Sequence, residues 1–521
     1  MGIYNRRRKK EIVYERKPES NTSISKNLDD NIARIKEAFS DCNDLVYREF
    51  NVGGPDGQRM FLCYIDGMAD KIILDEFLLT PVMISSREVP PDFDEVKNRL
   101  YKVIKSSAMS VSDIKDVESI EDILLAVMSG EAAVLIDGYD KCIILAVRSW
   151  PARGPSEPTS ETIIRGPRDG FTETIRFNTA LVRRRIRDTN FKVKQIQIGR
   201  RSKTDIAILY IDNIVDKRIL DELNKRLDKI DIDAVIESGY IEQFIQDRQF
   251  SLFPQVQATE RPDTVAASVY EGRVGILVDN SPYALIIPAT MNIFLQSAED
   301  YYARPIISTF LRNIRLLAVI LSVVAPSFYI ALISFNPGIL PGKLLVSISA
   351  SREGVPFPAF LEAFVMELTF ELLREAGVRL PRAIGSTIGI VGGLVIGQAA
   401  VSAGIVSPIM VIVVSVTAIA SFAIPNYEVA AGFRLVRFIL MILAAIYGLY
   451  GTLIGLIGTL IHLVNLKSFD VPYLAPIAPF HSGDIKDTAF FVTPWKYMKK
   501  RPNFLDPQDK IRQGGDNDDS Q

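Results

Sequence analysis

Four glutamates lie within one short apolar segment, and their spacing is the chain's clearest pattern of ionisable groups. Residues 357–377 read FPAFLEAFVMELTFELLREAG, in which Glu367, Glu371 and Glu375 recur at every fourth position. On a helix these three side chains form one stripe, while Glu362 falls on the opposite side. Carboxylates in this arrangement are suited to recognising cations, because rings of Asp or Glu line cation-selective pores.

Two interpretations of this segment remain open. In the first, an amphipathic helix lies in the membrane interface, and its acids face water or pair with Arg374, Arg379 and Arg382. In the second, the stripe faces a water-filled pathway, and copies from several subunits form rings of carboxylate. The candidate ion pathway comprises Glu362, Glu367, Glu371, Glu375 and Gln398.

The segment that follows is apolar enough to lie within lipid. Residues 384–424 contain no charged side chain, and one bilayer crossing needs about 20 apolar residues. The stretch therefore predicts two helices, with a break near Ser407 and Pro408. Glycine at every fourth position lets another helix approach closely, and these helix-packing glycines are Gly385, Gly389, Gly393 and Gly397. Gln398 beside them is suited to a hydrogen bond between helices or to a position in the pathway.

Uncharged stretches predict a transmembrane domain over residues 316–466 with at least four spans. Four spans and the positive-inside rule place both termini in the cytoplasm, but they leave Arg434 and Arg437 outside. A further span at 357–378 would place both arginines on the cytoplasmic side, but it would place the C-terminus outside. A re-entrant last segment, which its glycines permit, reconciles both observations.

An internal repeat determines the predicted architecture of the preceding half. Residues 64–76 read YIDGMADKIILDE and residues 210–222 read YIDNIVDKRILDE, identical at nine of thirteen positions. A second pair follows at nearly the same offset, GEAAVLID at 130–137 and GRVGILVD at 272–279. Apolar runs flanking Asp-Gly or Asp-Asn are typical of strands and hairpins.

The predicted fold class is therefore two tandem α/β cytosolic subdomains followed by a multipass α-helical membrane domain. A basic, disordered N-terminus occupies residues 1–24. The predicted domains are residues 25–150 for the first α/β subdomain, 160–300 for the second, 316–466 for the membrane domain and 467–521 for a cytosolic C-terminal tail.

Composition argues against several classes of function. The net charge of −2 gives no indication of nucleic-acid binding, and only two histidines, His462 and His481, are available for a metal or catalytic centre. Cys42, Cys63 and Cys142 are scattered thiols without paired spacing. No phosphate-binding loop, nucleophile elbow or zinc-protease motif is present in the sequence. We expect no enzyme activity, metal or cofactor.

Seven segments in order resemble the A subunits of GerA-family spore germinant receptors, over about residues 25–475. They are RGPRDGF (165–171), FPQVQATERPD (253–263), GRVGILVDNSP (272–282), QSAEDYY (296–302), REGVPFP (352–358), ELLREAGVRLP (371–381) and GGLVIGQAAV (392–401). The basic N-terminus and the acidic C-terminal tail fall outside the resemblance.

The resemblance implies a multipass protein of the spore inner membrane that acts with a transporter-like B subunit and a lipoprotein C subunit. It implies a homo-oligomer that forms or gates an ion-conducting pathway, opens on nutrient sensing and starts germination. Two alternatives remain: a non-conducting scaffold that transmits a signal, and a receptor-associated paralogue that does not itself sense nutrients. A secondary transporter is less favoured, because inverted hydropathy repeats are not evident.

Overall fold

The computed structural model describes residues 23–39, 45–52, 57–65, 69–74, 114–148, 157–158, 161–186, 188, 190–379, 395–488 and 490–512. The chain forms two compact units, Met1–Ala152 and Arg153–Gln521. Each unit contains its own antiparallel sheet, and the second also contains the long apolar helices.

The first unit is built from a five-stranded antiparallel sheet and its flanking helices. Its strand order is β1-β2-β4-β5-β3. Ser119 is the N-cap of the helix Ile120–Met128 and accepts a hydrogen bond from Asp122 N at 3.1 Å. The elements are α1 (Leu28–Ala38), β1 (Leu45–Val52), β2 (Gln58–Ile65), the short α2 (Lys71–Ile73), β3 (Ile114–Val117), α3 (Ile120–Met128), β4 (Ala132–Ile136) and β5 (Cys142–Leu145).

Successive side chains along each strand point to opposite faces of the sheet, so the core of this unit is divided between the two faces. Phe61, Cys63 and Ile144 face a cluster that includes Ile32 of α1 and Ile123 of α3. The intervening side chains of the same strands form a second cluster on the other face. Cys63 and Cys142 are buried and unpaired, and burial raises the pKa of the Cys63 thiol to about 12.

The second unit begins with a sheet of the same strand order, β6-β7-β9-β10-β8, again antiparallel throughout. Its helices cover both faces: α4 and α7 pack on one, and α5 and α6 pack on the other. The elements are α4 (Ile175–Arg183), β6 (Phe191–Ile198), β7 (Thr204–Ile211), α5 (Lys217–Leu227), α6 (Ser238–Ile245), β8 (Gln257–Thr259), α7 (Pro262–Glu271), β9 (Val274–Val278), β10 (Ala284–Ile287) and the short α8 (Met291–Phe294).

The predicted α/β character of these two regions is confirmed. The first copy of the repeat begins at the end of β2 and the second begins at the end of β7. Each member of the second pair opens an antiparallel hairpin, β4 with β5 and β9 with β10. Equal strand order agrees with a duplication, which remains a prediction from the repeated sequence.

The rest of the second unit is mainly helical. Among the described residues, two helices are long and apolar enough to cross a membrane, Pro305–Ser334 and Tyr427–Asn465, and Pro408–Phe422 is a shorter apolar helix. The predicted break near Ser407 is present, because residues 403–407 separate two helices. The helices are α9 (Pro305–Ser334), α10 (Gly342–Arg352), α11 (Ala359–Arg379), α12 (395–402), α13 (Pro408–Phe422) and α14 (Tyr427–Asn465).

Helix α14 folds back on itself at Gly448. Gly448 has a φ of 59° and a ψ of −138° within the helix, a conformation that glycine adopts at little cost. Beyond this point the chain returns along its own first arm, since a Cβ built on Gly455 would lie 2.9 Å from Leu443 Cδ1 and would also contact Leu440. The arms, residues 427–447 and 449–465, therefore form a helical hairpin.

The segment after this hairpin packs against the α/β subdomain and the start of α9. A short hairpin joins β11 (Lys467–Ser468) to β12 (Val471–Pro472). Ser468 Oγ donates to Gln255 O at 2.7 Å and accepts from Ala289 N at 3.0 Å. Residues 467–488 and 490–512 were predicted from the sequence as part of a cytosolic tail, and they contribute contacts to the body of the second unit.

Gly432 in the first arm of α14 allows close contact with the α/β subdomain. A Cβ at this position would overlap the Leu252 carbonyl oxygen and lie 3.2 Å from Phe253 Cδ1. We expect Gly432→Ala to lower the free energy of unfolding by about 1–3 kcal/mol, because overpacking displaces the neighbouring backbone. Unfolding in detergent micelles, followed by circular dichroism, measures the change.

Gly458→Ala is the matched control for that experiment. Gly458 lies in the second arm of α14, and a Cβ there would meet no atom within 4 Å. Its replacement should change stability by no more than about 1 kcal/mol, the usual helical difference between glycine and alanine. Equal effects of the two substitutions would contradict the assigned packing.

Candidate functional site: a charge cluster among the apolar helices

Helix α11 carries the candidate acids and begins directly after a proline. Pro356 and Pro358 precede it, and proline disfavours helical backbone in the residue before it. Ala359–Arg379 then forms one helix that is rich in Ala, Leu and Glu, residues that favour helix. Ala359, Ala363 and Met366 are buried in one cluster with residues of α9, α13 and α14. This packing fixes the rotation of α11 and so the direction of its acids.

Glu362 joins three helices at one end of the bundle. Its Oε1 accepts a hydrogen bond from Arg352 Nη2 at 2.7 Å, at the end of α10. Its Oε2 accepts from Ser407 N at 2.9 Å, at the start of α13. The carboxylate is 1% exposed, and two charge-assisted hydrogen bonds compensate for its burial.

Glu367 and Glu371 meet arginines of α14 on another side of α11. Glu367 Oε2 lies 3.0 Å from Arg437 Nη2, and the two side chains are 1% and 2% exposed. Glu371 Oε1 lies 3.0 Å from Arg434 Nε and 3.1 Å from Arg374 Nη1. Arg374 also donates to Ser421 Oγ of α13 at 2.8 Å. We call Glu367, Glu371, Arg374, Arg434 and Arg437 the charge cluster.

The charge cluster contains more positive than negative groups, and its hydrogen bonding is incomplete. Two carboxylates face three guanidinium groups. Glu367 Oε1, Arg374 Nε and Arg437 Nε are buried without a hydrogen-bond partner in this structure. Buried polar groups left unsatisfied cost free energy, so the cluster is held together by its ion pairs while retaining free hydrogen-bonding capacity.

The remaining members of the predicted site lie at the edge of this arrangement or outside the described residues. Glu375 is exposed, and Gln398 on α12 is exposed. Gly397 is buried against α13, since a Cβ there would lie 3.3 Å from Val411 Cγ1. Gly385, Gly389 and Gly393 lie outside the described residues.

Sequence reasoning missed the partners of the stripe. It predicted pairing with Arg374, which occurs, but considered Arg434 and Arg437 only as topology signals. Spacing offered a clue, because two arginines three positions apart lie on one helix face, as do two glutamates four positions apart. Which helices bring these two faces together depends on tertiary packing.

The described residues offer no group of three or more His, Cys, Asp or Glu side chains that would hold a metal ion. What the structure shows at this site is a set of charged side chains paired among apolar helices. Ionisable groups in such a setting mark ion pathways, relays or sensors more often than structural contacts.

Comparison with known proteins assigns the chain to a family. A family model described as Bacillus/Clostridium GerA spore germination protein matches residues 33–504. The chain belongs to the GerA family. Spore germination protein KA of Bacillus subtilis (strain 168) is 43% identical over 493 residues, covering 95% of this chain and 89% of that protein. Spore germination protein B1 of the same organism is 41% identical over 490 residues, covering 94% and 99%.

A solved structure also aligns with this chain. It is the crystal structure of the N-terminal domain of the A subunit of the Bacillus megaterium spore germinant receptor GerK3. The alignment has 30% identity and a TM-score of 0.22, and it covers 52% of this chain and 98% of the other.

Proposed function

We propose that this chain is the A subunit of a spore germinant receptor, located in the spore inner membrane, where it forms or gates an ion-conducting pathway. Family membership supports the role in germination, and the solved relative is itself named as part of an A subunit. The charge cluster is the single observation that carries the proposal of a gate.

The charge cluster suits a gate because its ion pairs are buried among apolar helices. Pairs such as Glu367 with Arg437 cost desolvation energy that apolar residues at the same positions would not. Such pairs are therefore weak devices for stability alone. Separating them exposes carboxylates of α11 to whatever space opens between α11 and α14. The described arrangement corresponds to a closed gate, in which arginines neutralise Glu367 and Glu371.

The direction of the described helices supports a topology with both termini on the core side. Tyr329 near the end of α9 lies 3.4 Å from Ser407 at the start of α13, and Glu362 at the start of α11 contacts Ser407 as well. Helices α11 and α13 thus run back toward the end at which α9 began. The α14 hairpin adds a re-entrant segment, which agrees with at least four spans and keeps Arg434 and Arg437 near the core side.

A homo-oligomer is part of the proposal, because four or five spans in one copy are few to enclose a pore. Glycine at every fourth position before α13 would let copies approach closely. The transporter-like B subunit and the lipoprotein C subunit are the proposed partners. The tandem α/β subdomains, which we attribute to duplication, would transmit the state of the partners or of neighbouring copies to the charge cluster. No enzymatic step is proposed.

One observation favours a second candidate, the non-conducting scaffold. Glu362, Glu367 and Glu371 are each paired with arginine in this structure, as expected of acids that only join helices. A receptor-associated paralogue within the same family would share every feature described above, so the measurement must report current as well as assembly.

Single-channel current in planar bilayers tests the proposal, with the purified chain alone and with its B and C partners. We expect cation current from the assembled complex. The double substitution Glu367→Gln and Glu371→Gln should reduce it at least severalfold, because it removes the negative charges and leaves three arginines. Glu353→Gln is the matched control, because Glu353 is exposed at the end of α10 and outside the proposed pathway.

Two outcomes would decide against the pathway. The first is no current from a complex whose assembly is verified by size and subunit content. The second is current unchanged in the double variant, which would place conduction elsewhere. Either would leave the scaffold as the function that the geometry supports.

A further inference from the structure

A cavity of about 390 Å³ lies where the second α/β subdomain, the membrane helices and the C-terminal segment meet. Helix α7 contributes Thr264 and Ala267, α9 contributes Arg315, and the C-terminal segment contributes Trp495 and Arg512. The loop between α13 and α14 also reaches it, through Ala423, Pro425 and Asn426. This volume falls in the range of small-molecule sites, and the charge cluster is not part of its lining.

Arginines outnumber acids in the lining of this cavity. Four arginines face three acids: Arg261, Arg273, Arg315 and Arg512 against Glu161, Asp263 and Glu271. Behind the wall, Asp300 pairs with Arg315 at 2.6 Å. Burial raises the pKa of Glu161 to about 7, so near neutral pH this acid carries only part of its charge. When Asp300 is counted, the formal charges of the arginines and acids balance, so it is the unpartnered guanidinium atoms, described next, that favour an anionic ligand.

Four buried polar atoms of the lining residues have no hydrogen-bond partner in this structure. Two are donors, Arg261 Nε and Arg273 Nε, and two are acceptors, Asp263 Oδ1 and Gln257 Oε1. All four side chains are more than nine-tenths buried. The carboxylate nearest to Arg273 Nε is Glu271 Oε2 at 3.6 Å, which is too long for a hydrogen bond.

Four buried polar atoms without hydrogen-bond partners at one cavity require an explanation, because buried polar groups are almost always paired. The two donors call for an acceptor such as a carboxylate, and the two acceptors call for a hydroxyl or ammonium group. Aromatic side chains supply an apolar wall beside them: Tyr301 and Trp495, whose ring centroids are 6.1 Å apart. Arg512 stacks over the Trp495 ring at 4.6 Å.

We propose that this cavity binds a small organic acid that also carries a hydroxyl or ammonium donor and an apolar portion. The carboxylate meets the arginines, the donor meets Asp263 and Gln257, and the apolar portion packs on Trp495. This assignment does not depend on the proposed pathway, since it rests on different residues and requires no conduction.

A ligand at this position would act as an effector, because it would contact three parts of the second unit at once. It bridges α7 of the α/β subdomain, the start of α9 and the loop that leads into α14. Binding would stabilise whichever arrangement of these elements closes the cavity. The effector would thus act on the soluble subdomain and the membrane helices at once.

Tryptophan fluorescence of the full-length protein tests the binding. The chain has two tryptophans, Trp150 and Trp495, so Trp150→Phe leaves Trp495 in the cavity wall as the only reporter. The probes are 3-phenyllactate, 3-phenylpropionate, which lacks the hydroxyl, and 2-phenylethanol, which lacks the carboxylate. We expect a saturable change with 3-phenyllactate, weaker binding of 3-phenylpropionate by about tenfold, and none of 2-phenylethanol.

Two variants locate the site. Ala267→Leu fills the cavity from α7 without altering charge, and Arg512→Gln removes one guanidinium group from its lining. Each should weaken 3-phenyllactate binding by about tenfold or more, because a charge-assisted contact or the necessary space is lost. Lys510→Gln is the control for charge on the same segment, since Lys510 lies outside the lining and 3.9 Å from Asp506.

The thermal unfolding midpoint provides a second readout, which should rise with 3-phenyllactate in the parent and less in the two variants. No saturable response in either readout would overturn the proposal. Equal binding of 2-phenylethanol would overturn the anionic ligand class. Unchanged binding in both Ala267→Leu and Arg512→Gln, with the variants shown to be folded, would overturn the location.

Discussion

Arg437→Leu is expected to lower the free energy of unfolding by about 3–5 kcal/mol, which is the usual cost of leaving a buried charge without its partner. Arg437 is 1% exposed and pairs with Glu367, also 1% exposed, across the contact between α14 and α11. The substitution leaves the Glu367 carboxylate among apolar helices. Unfolding in mixed micelles, followed by circular dichroism, measures the loss.

The double variant Glu367→Leu with Arg437→Leu should recover most of that loss. Removing both charges abolishes the desolvation cost together with the ion pair, and a double-mutant cycle isolates the coupling. Arg434→Leu is the matched control, because Glu371 keeps Arg374 as a partner at 3.1 Å and the loss should be smaller. A double variant less stable than either single variant would contradict the pairing.

Arg312→Met should cost about 1.5–3 kcal/mol, the usual contribution of hydrogen bonds to charged groups, and it should release the C-terminal segment from α9. Arg312 is fully buried; its Nε lies 3.0 Å from Asp300 Oδ2 and its Nη1 lies 2.7 Å from Asp487 Oδ1. The same Nη1 donates to Thr488 O at 2.6 Å. One guanidinium group thus joins α9 to residues 487–488. Its loss removes these charge-assisted hydrogen bonds, while Asp300 keeps Arg315 at 2.6 Å and Asp487 keeps the Tyr301 hydroxyl at 2.7 Å.

Digestion with proteinase K measures this release. We expect faster cleavage around residues 486–500 in Arg312→Met than in the parent protein. Asn313→Ala is the control, because Asn313 Nδ2 donates to Phe490 O at 3.0 Å from an exposed position, and removing a neutral exposed bond costs about 1 kcal/mol or less. Cleavage at the parental rate in Arg312→Met would show that this contact does not hold the segment.

Local sequence signals predicted the α/β region well. Apolar runs before Asp66 and Asp212 predicted β2 and β7. Strands and the turns that end them are marked by residues close together in the sequence, so a local pattern can predict them. The break at Pro408 is also a local signal, since proline is favoured in the first turn of a helix. The α14 hairpin was only an option, because four glycines permit a reversal without requiring one.

The ion pairs and the cavity could not be read from the sequence. Glu367 and Arg437 are brought together by packing between helices whose relative rotation no local pattern determines. The cavity gathers residues from Glu161 to Arg512, so nearly the whole second unit must fold before its polar atoms converge. This separation along the chain is why no local sequence pattern marks the cavity.

Currents from two single variants of the charge cluster, recorded in planar bilayers from the assembled complex, test the proposed gate most directly. Glu371→Gln removes a negative charge, whereas Arg434→Gln removes the positive charge that lies 3.0 Å from it. The gate predicts opposite effects: cation current falls in Glu371→Gln, and it rises, or appears without stimulation, in Arg434→Gln. Currents that stay at the parental level in both variants, or change in the same direction, would contradict it.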